Sequence, residues 1–271
     1  MEVRPNVKLI SHTLNPELVV ALAGKLCYSP SDIEALMEKQ TTEDIERFVK
    51  MLVSMKHESP LEHISFTFGI EGISRACTHQ LVRHRIASYS QQSQRYVNLS
   101  ETFNYTIPEE IRKVPYLRDR FEKSMRSSHE QYVKIYEEML EYKIYEYLIK
   151  NRKIYSPDTP MERLKQIMET TYKNKYRELK KVAIENARAV LPNACETKII
   201  VTMNLRSLIN FCKHRCCNRA QDEIREVAWE MVKAITSESE LLGSLLGASC
   251  QFGVCPEGNM TCKKPYPKKV F

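Results

Sequence analysis

Apolar positions recur at helical spacing along much of the chain. Residues 115–150 form a long charged stretch with such a stripe, which is typical of a packing face. The stretch 41–56 also has this spacing, with apolar residues at Ile45, Phe48, Val49, Leu52 and Val53. We predict further helices over 16–27, 73–82, 161–190, 205–215 and 219–246.

Alternating apolar and polar residues predict a strand over 64–70, ended by Gly72. Two more β-rich segments, 7–13 and 197–203, predict short strands. Asn15 stands before Pro16 and is expected to cap the first helix. The long helices join stretches that are too small to fold alone. We therefore expect one α+β domain rich in long helices over 1–247, followed by a Cys-, Pro- and Lys-rich tail over 248–271.

Composition places the chain among globular proteins, with 42% hydrophobic and 28% charged residues. The sequence contains no run of about 18 apolar residues, so no membrane span is predicted. Residues 1–10 have no apolar signal region. We expect a cytoplasmic protein without a membrane partner. Its 9 cysteines should then be thiols or metal ligands rather than disulfides.

Glycine is scarce, and its placement excludes two kinds of nucleotide site. The chain has 7 glycines and none between Gly72 and Gly243. Neither a dinucleotide-binding GxGxxG turn nor a P-loop can be written into this sequence. Side chains must therefore hold the phosphates of any bound nucleotide. The net charge of +7 suits such ligands, and it also suits nucleic acid.

The most informative stretch, 80–96, contains no acidic residue. It carries Arg83, His84, Arg85 and Arg95, with three serines between them. Arginine suits phosphate because its planar fork bonds two oxygens at once. Taken alone, an Arg-His-Arg run is more often a solvated basic loop or a nucleic-acid patch. A nucleic-acid-binding protein is thus the rival class, although the stretch offers only Tyr89 and Tyr96 for stacking on bases.

The spacing within this stretch resembles a family signature. Arg-His-Arg-x-x-Ser-x-x-x-x-Ser-x-Arg is the pattern of the flavin-dependent thymidylate synthases, and it is met by Arg83, His84, Arg85, Ser88, Ser93 and Arg95. Three further segments resemble the same family in the same order. They are His-Glu-Ser-Pro-Leu-Glu-His at 57–63, Ala-Arg-Ala-Val-Leu-Pro at 187–192 and Asn-Leu-Arg-Ser-Leu-Ile-Asn-Phe at 204–211.

The resemblance implies a fold, a reaction and an assembly. The fold would be α+β with an antiparallel or mixed sheet. The reaction would convert dUMP to dTMP with methylenetetrahydrofolate as carbon donor, FAD as hydride carrier and NADPH as reductant. No cysteine would attack the uracil ring. The sites would lie between the subunits of a homotetramer, and no nucleic acid would be bound.

The resemblance also implies roles for residues of this chain. Arg215 would be catalytic, meeting the uracil ring and favouring its N3-deprotonated form. The residues expected at FAD are His57, Ser59, Arg83, His84, Arg85, Gln91, Asn204, Leu205, Arg206 and Asn210. Those expected at dUMP are Gln80, Leu81, Val82, Arg83, Gln91, Gln92, Ser93, Gln94, Arg95, Arg188 and Arg215.

Several of these residues have simpler interpretations. Arg188 could serve simply to interact with the carbonyls at a helix end, and Asn204 could be a turn residue. Ser93 has no neighbouring base in the sequence, which favours phosphate bonding over a nucleophilic role. The chain also departs from the family at Gln91, where a glutamate is usual, and at Asp222, where a tryptophan is frequent. Gln91 can hydrogen-bond but has no negative charge.

The cysteines pose a separate question. Cys216 and Cys217 follow Arg215, and Cys250, Cys255 and Cys262 lie in the tail as C-x4-C-x6-C. If the tail folds back onto this region, four thiolates could hold zinc. The spacing is not a tight CxxC knuckle, so free thiols or a redox pair are the favoured alternatives. No metal ligand is therefore assigned from the sequence.

Overall fold

The structure is a computed structural model that describes residues 1–38, 40–101, 103–151 and 155–269. The strands are β1 (Asn6–His12), β2 (Ser65–Ser74), β3 (Ala87–Gln91) and β4 (Glu196–Asn204). The helices are α1 (Pro16–Leu26), α2 (Ile33–Glu38), α3 (Thr42–Ser54), α4 (Arg75–Leu81), α5 (Glu109–Arg112), α6 (Pro115–Tyr145), α7 (Met161–Thr170), α8 (Lys173–Ala187), α9 (Leu205–Arg215), α10 (Asp222–Glu238) and α11 (Glu240–Ser244). The predicted α+β class is confirmed.

The chain divides into two compact units that interrupt each other in sequence. Unit 1 consists of Met1–Val3 and Gln92–Glu196, and unit 2 consists of Arg4–Gln91 and Thr197–Phe271. The part of the tail that the structure describes, 248–269, belongs to unit 2. The last two residues of the predicted tail, 270 and 271, lie outside the described residues. The division into 1–247 and a tail stays a prediction.

Unit 2 contains a sheet with the strand order β1-β2-β4-β3. The pairs β1–β2 and β3–β4 are antiparallel, and β3 pairs with β4 from Ala87↔Met203 to Gln91↔Ile199. Alternate residues of β2 and β4 point into the core, as the apolar alternation predicts for a half-buried strand. These inward residues include Phe66, Phe68, Ile70, Ile199, Val201 and Met203. Helices α9 and α10 supply much of the remaining core.

Unit 1 is built around α6, which packs against α7 and α8. The packing face predicted for 115–150 is confirmed. The buried face matches only in part the predicted apolar stripe of Phe121, Met125, Tyr132, Ile135, Met139, Tyr142, Tyr145 and Ile149. Tyr142 and Tyr145 are exposed, whereas Tyr136, Leu140 and Ile144 are buried. After Tyr145 the backbone continues as a wider π-helical turn over Glu146–Asn151, which keeps Ile149 in the core.

Two predicted helices are each divided in two. The helix predicted over 161–190 breaks between α7 and α8, where consecutive β-branched threonines at 170 and 171 lower helix propensity. The helix predicted over 219–246 breaks at Ser239. There the backbone is extended, and the serine hydroxyl accepts a hydrogen bond from the amide of Leu242 to cap α11. The sequence patterns do not reveal α2, α5 or β3.

Two local predictions near the strands are wrong. Asn15 precedes α1 in a left-handed conformation and makes no side-chain capping bond. Gly72 does not end β2, which continues to Ser74. Its φ of +68° and the Arg4 carbonyl oxygen, which would clash with any Cβ at this position, explain why only glycine fits there. Within the described residues, no helix has the length and apolar character to span a membrane.

Candidate active site

Helix α9 presents three polar side chains on one face. The Asn204 side chain caps the helix, because its Oδ1 accepts a hydrogen bond from the Ser207 amide at 2.8 Å. Arg206, Asn210 and Lys213 follow at spacings of four and three residues, which puts them on one face of the helix. The cap and two residues of this face therefore come from the Asn-x-Arg-Ser-x-x-Asn segment that resembles the family motif.

The Arg-His-Arg segment is held just beyond the end of α4. The Tyr89 hydroxyl on β3 donates to the carbonyl oxygens of Leu81 at 2.9 Å and His84 at 2.6 Å. Burial raises the pKa of Tyr89 to about 12, so it stays protonated and able to donate. Ile86 has a φ of +66°, which is uncommon for a β-branched residue. The chain therefore turns sharply directly after Arg85.

These two segments border a cleft of about 520 Å³ in unit 2, here called the cationic cleft. Its cations are Arg83, Arg85, Arg206 and Lys213, and its amides are Asn204 and Asn210. Arg206 is paired with Glu58 at 3.2 Å and also with Glu62. Within the described part of the chain, the other three cations form no ion pair. Their positive charge is therefore available to an anionic ligand.

Arg215 lies at the end of α9 and bonds two neutral acceptors. Its Nε donates to His84 Nε2 at 2.9 Å, and its NH1 lies 3.4 Å from Gln80 Oε1. Burial lowers the pKa of His84 to about 4, with the positive charge of Arg215 as the next cause. The imidazole is consequently neutral near pH 7 and can accept the bond. Burial also lowers the pKa of the Arg215 guanidinium.

Not every residue predicted at FAD borders the cationic cleft. His57 and Ser59 are exposed, but Glu58 and Glu62 of the same segment line the cleft instead. The side chain of Leu205 is fully buried, and its amide donates to the Ile64 carbonyl at 3.0 Å. Asn204 combines its capping role with a position on the cleft wall, so its two interpretations are compatible.

Among the residues predicted at dUMP, Gln80 and Arg215 are brought together, whereas Leu81 is buried in the core and Val82 is partly exposed. The Gln91 amide donates to the hydroxyls of Thr78 at 2.9 Å and Thr197 at 3.2 Å. These bonds fix the side chain at the end of β3. They also give a reason for an amide at this position, since both threonines are buried.

The remaining predicted residues belong to unit 1: Gln92, Ser93, Gln94, Arg95 and Arg188. Ser93 Oγ accepts a bond from the Arg95 amide at 3.2 Å, and Gln94 Nε2 lies 3.8 Å from Cys195 Sγ. Arg95 pairs with Glu185 on α8 at 3.4 Å. Arg188 follows Glu185 by three residues, at the C-terminal end of α8. Arg95 and Arg188 are therefore near the same end of that helix.

Sequence reasoning missed Lys213, Glu58 and Glu62, which all line the cationic cleft. Lys213 could have been found, because it continues the face of Arg206 and Asn210 by one helical step. The pairing of the two glutamates with Arg206 joins residues 148 and 144 positions apart. No local pattern in the sequence could have indicated it.

The sequence and the fold correspond to those of a known family of enzymes. Residues 8–239 match the family model described as thymidylate synthase complementing protein. Flavin-dependent thymidylate synthase of Clostridium tetani is 48% identical over 98% of this chain and 96% of that protein. The protein of the same name from Geobacter sulfurreducens is 42% identical over 95% of this chain and 94% of its own length.

The chain therefore belongs to the thymidylate synthase complementing protein family, and the family predicted from its motifs is confirmed. It is similar in fold to the UMP/dUMP methylase PolB from Streptomyces cacaoi, whose crystal structure was solved with 5-Br dUMP bound. The TM-score is 0.63 at 19% sequence identity, and the match covers 90% of this chain and 96% of that one. At this identity the likeness concerns the fold alone.

Proposed function

We propose that this protein converts dUMP to dTMP by reductive methylation, with methylenetetrahydrofolate as carbon donor, FAD as hydride carrier and NADPH as reductant. The observation that carries the proposal is the cationic cleft. Arg83 and Arg85 line this cleft, and neither is paired with a carboxylate of the described residues. Relatives named flavin-dependent thymidylate synthase match almost the full chain and support the same activity.

The donor set of the cationic cleft fits FAD. Arginine forks suit a pyrophosphate, and Asn204 and Asn210 supply neutral amides for the rest of the cofactor. Bound FAD would carry hydride to the transferred carbon. The chain's contribution is to hold the phosphates without a glycine loop, since Arg83 and Arg85 approach from a segment that Tyr89 fixes. Lys213 adds a third cation that is not paired with a carboxylate of the described residues.

Arg215 is the proposed catalytic residue. Its hydrogen-bond partners, His84 and Gln80, are both neutral, so these bonds leave its positive charge uncompensated. A cation in this state stabilises an anion that develops on a substrate. Beside the uracil ring it would favour the N3-deprotonated form, which is the more nucleophilic one. Neutral His84 keeps the guanidinium oriented for that contact.

The phosphate of dUMP is assigned to the unit 1 residues. Ser93 is a neutral hydrogen-bonding group there, while Arg95 and Arg188 supply two cations near one end of α8. Arg95 is exposed, and its pair with Glu185 is long, at 3.4 Å. An exposed pair of this kind contributes little stability, so a phosphate can replace the carboxylate.

The decisive experiment measures flavin and product together. The purified protein should be yellow, and NADPH should bleach its flavin absorbance under anaerobic conditions. Adding dUMP and methylenetetrahydrofolate should then yield dTMP, detected by mass spectrometry, with omission of each substrate as the control. A colourless protein that neither takes up FAD nor oxidises NADPH would contradict the proposal. Salt-dependent binding of nucleic acid by that colourless protein would favour the rival class.

A homotetramer with shared sites is part of the same proposal. Light scattering coupled to size-exclusion chromatography should give four times the chain mass of 31.7 kDa. Mixing two inactive variants, one altered at Arg215 and one at Arg95, should restore part of the activity if one site draws residues from two subunits. A monomeric mass with full activity would contradict shared sites.

A further inference from the structure

The C-terminal segment folds back onto the turn between α9 and α10. The two residues that follow Cys217 both form hydrogen bonds to the C-terminal segment. Asn218 Nδ2 donates to the Lys264 carbonyl at 2.8 Å, and Arg219 donates to the Met260 carbonyl. The ring of Tyr266 packs against Trp229 of α10, with 5.1 Å between ring centroids. The condition under which the sequence allowed a metal site is therefore met.

Four thiols line one cavity in this region. Cys217, Cys250, Cys255 and Cys262 border a space of about 460 Å³, here called the thiol cavity. Each of the four is partly accessible, and none of them is in a disulfide. The other five cysteines of the chain do not border this cavity. Three of the four come from the tail, and the fourth comes from the turn after Arg215.

Cationic side chains border the thiol cavity beside the four cysteines. The amide of Lys264 donates a hydrogen bond to Cys262 Sγ at 3.4 Å. Lys213, Arg215 and Arg219 border the cavity together with Glu257, which is paired with Arg219 at 3.8 Å. Lys213 and Arg215, which form no ion pair within the described residues, would offset the net double negative charge of a divalent ion bound by four thiolates. Within the described residues, no three His, Cys, Asp or Glu side chains are already arranged as a metal centre.

We propose that the thiol cavity binds one zinc ion through Cys217, Cys250, Cys255 and Cys262. Zinc prefers four sulfur ligands in a tetrahedron, each about 2.3 Å from the metal. Binding would require the four side chains to rotate about χ1 and bring their sulfurs around one point. The thiols release their protons on binding. The ion would fasten the tail to the turn that directly follows Arg215.

The first test measures metal in the full-length protein, purified under reducing conditions and loaded with ZnCl₂. Elemental analysis should give about one zinc per chain. Cobalt loading should produce the intense visible bands of a tetrahedral thiolate site. Single Cys→Ser changes at 217, 250, 255 and 262 should each lower the zinc content at least about tenfold. Cys27→Ser is the matched control, because Cys27 is exposed on another part of unit 2 and should keep the metal.

A second test avoids variants that fail to fold. The wild-type protein is treated with N-ethylmaleimide with and without zinc, and the modified cysteines are mapped by mass spectrometry. Zinc should protect the four thiols of the cavity and leave the labelling of Cys27 unchanged. Absence of zinc after loading, or equal labelling of the four thiols in both samples, would overturn the proposal. Neither result depends on dTMP formation, so the proposed activity is tested separately.

Discussion

Two cavities flank α9 and differ in the origin of their walls. The cationic cleft is formed by short motif segments, each rigidly held by a cap, a strand or a tyrosine hydroxyl. The thiol cavity is formed by one turn and a tail that returns from far along the chain. His84 and Lys213 border both. One helix thus borders a cleft rich in cations on one side and the attachment of the tail on the other.

The largest expected effect is at Arg215, which borders the thiol cavity but acts at the substrate in our proposal. Arg215→Ala should lower the rate of dTMP formation at least about a hundredfold, because one charged group that stabilises a developing anion is lost. The flavin absorbance of the purified variant should be retained, and Arg215→Lys should recover part of the rate. Loss of flavin from Arg215→Ala would instead place this residue in the cofactor site.

The arginines of the cationic cleft differ in whether a carboxylate already compensates their charge, and this difference predicts their contributions to FAD binding. Arg83→Gln and Arg85→Gln should each weaken FAD binding about 10- to 100-fold, as expected for loss of a charged hydrogen bond. Arg206→Gln should have a smaller effect, less than about tenfold, because Glu58 and Glu62 already compensate its charge. Titration of apoprotein with FAD, followed by fluorescence, measures all three. A larger effect at Arg206 would contradict this order.

The thiol cavity should affect stability and not flavin binding. We expect Cys255→Ser to lower the melting temperature of the zinc-loaded protein by at least about 5 °C, since metal binding contributes to the free energy of folding. Its affinity for FAD should stay within about twofold of the wild-type value. Cys27→Ser should change neither quantity. A large loss of FAD affinity in Cys255→Ser would show that the two cavities are not independent.

The shared residue His84 should titrate far below the ordinary histidine range. Its pKa of about 4, against 6.5 for an unperturbed histidine, means that its neutral form stabilises the fold above pH 6.5. That contribution is lost as the pH falls from 6.5 through 4. Proton NMR should show this titration, with His84→Gln identifying the signal. Arg215→Ala should raise the pKa, because a positive charge is removed; a wild-type value near 6.5 would contradict the geometry.

The smallest effect is expected at Ile86, on the wall of the cationic cleft. Ile86→Gly should raise the free energy of unfolding by about 1 kcal/mol, because glycine adopts a φ of +66° without steric cost. Ile200→Gly is the matched control, since Ile200 is also exposed but lies within strand β4. That change should destabilise the protein in chemical denaturation. Equal effects at both positions would contradict strain at Ile86.

The sequence predicts local structure better than long-range pairing in this protein. Helix α9 has the bounds that the sequence predicts, because a cap, an apolar stripe and a strand before it all agree. Strand β3 escapes prediction, since its alternate residues Ser88 and Ser90 are polar and Ala87 is only half-buried. Hydrophobic periodicity carries no signal for such a strand.

The same distinction holds for the candidate site. The Arg-His-Arg and Asn-x-Arg-Ser motifs can be read from the sequence alone, and both line the cationic cleft. The contact of Arg215 with His84 joins residues 131 positions apart, and it depends on the fold alone. The return of the tail to Cys217 is of this second kind, which is why the sequence could offer zinc only as a conditional alternative.

The position of unit 1 in the sequence has a consequence for folding. The chain leaves unit 2 after β3 and returns to it with β4, the antiparallel neighbour of β3. The segment of unit 1 that begins at Gln92 is thus the loop of an unusually long β-hairpin, and pairing these strands incurs the entropy of closing that loop. Because this entropy grows only slowly with loop length, insertions between α7 and α8 should be tolerated. The β3–β4 amides should gain hydrogen-exchange protection late in refolding, after unit 1 has become compact.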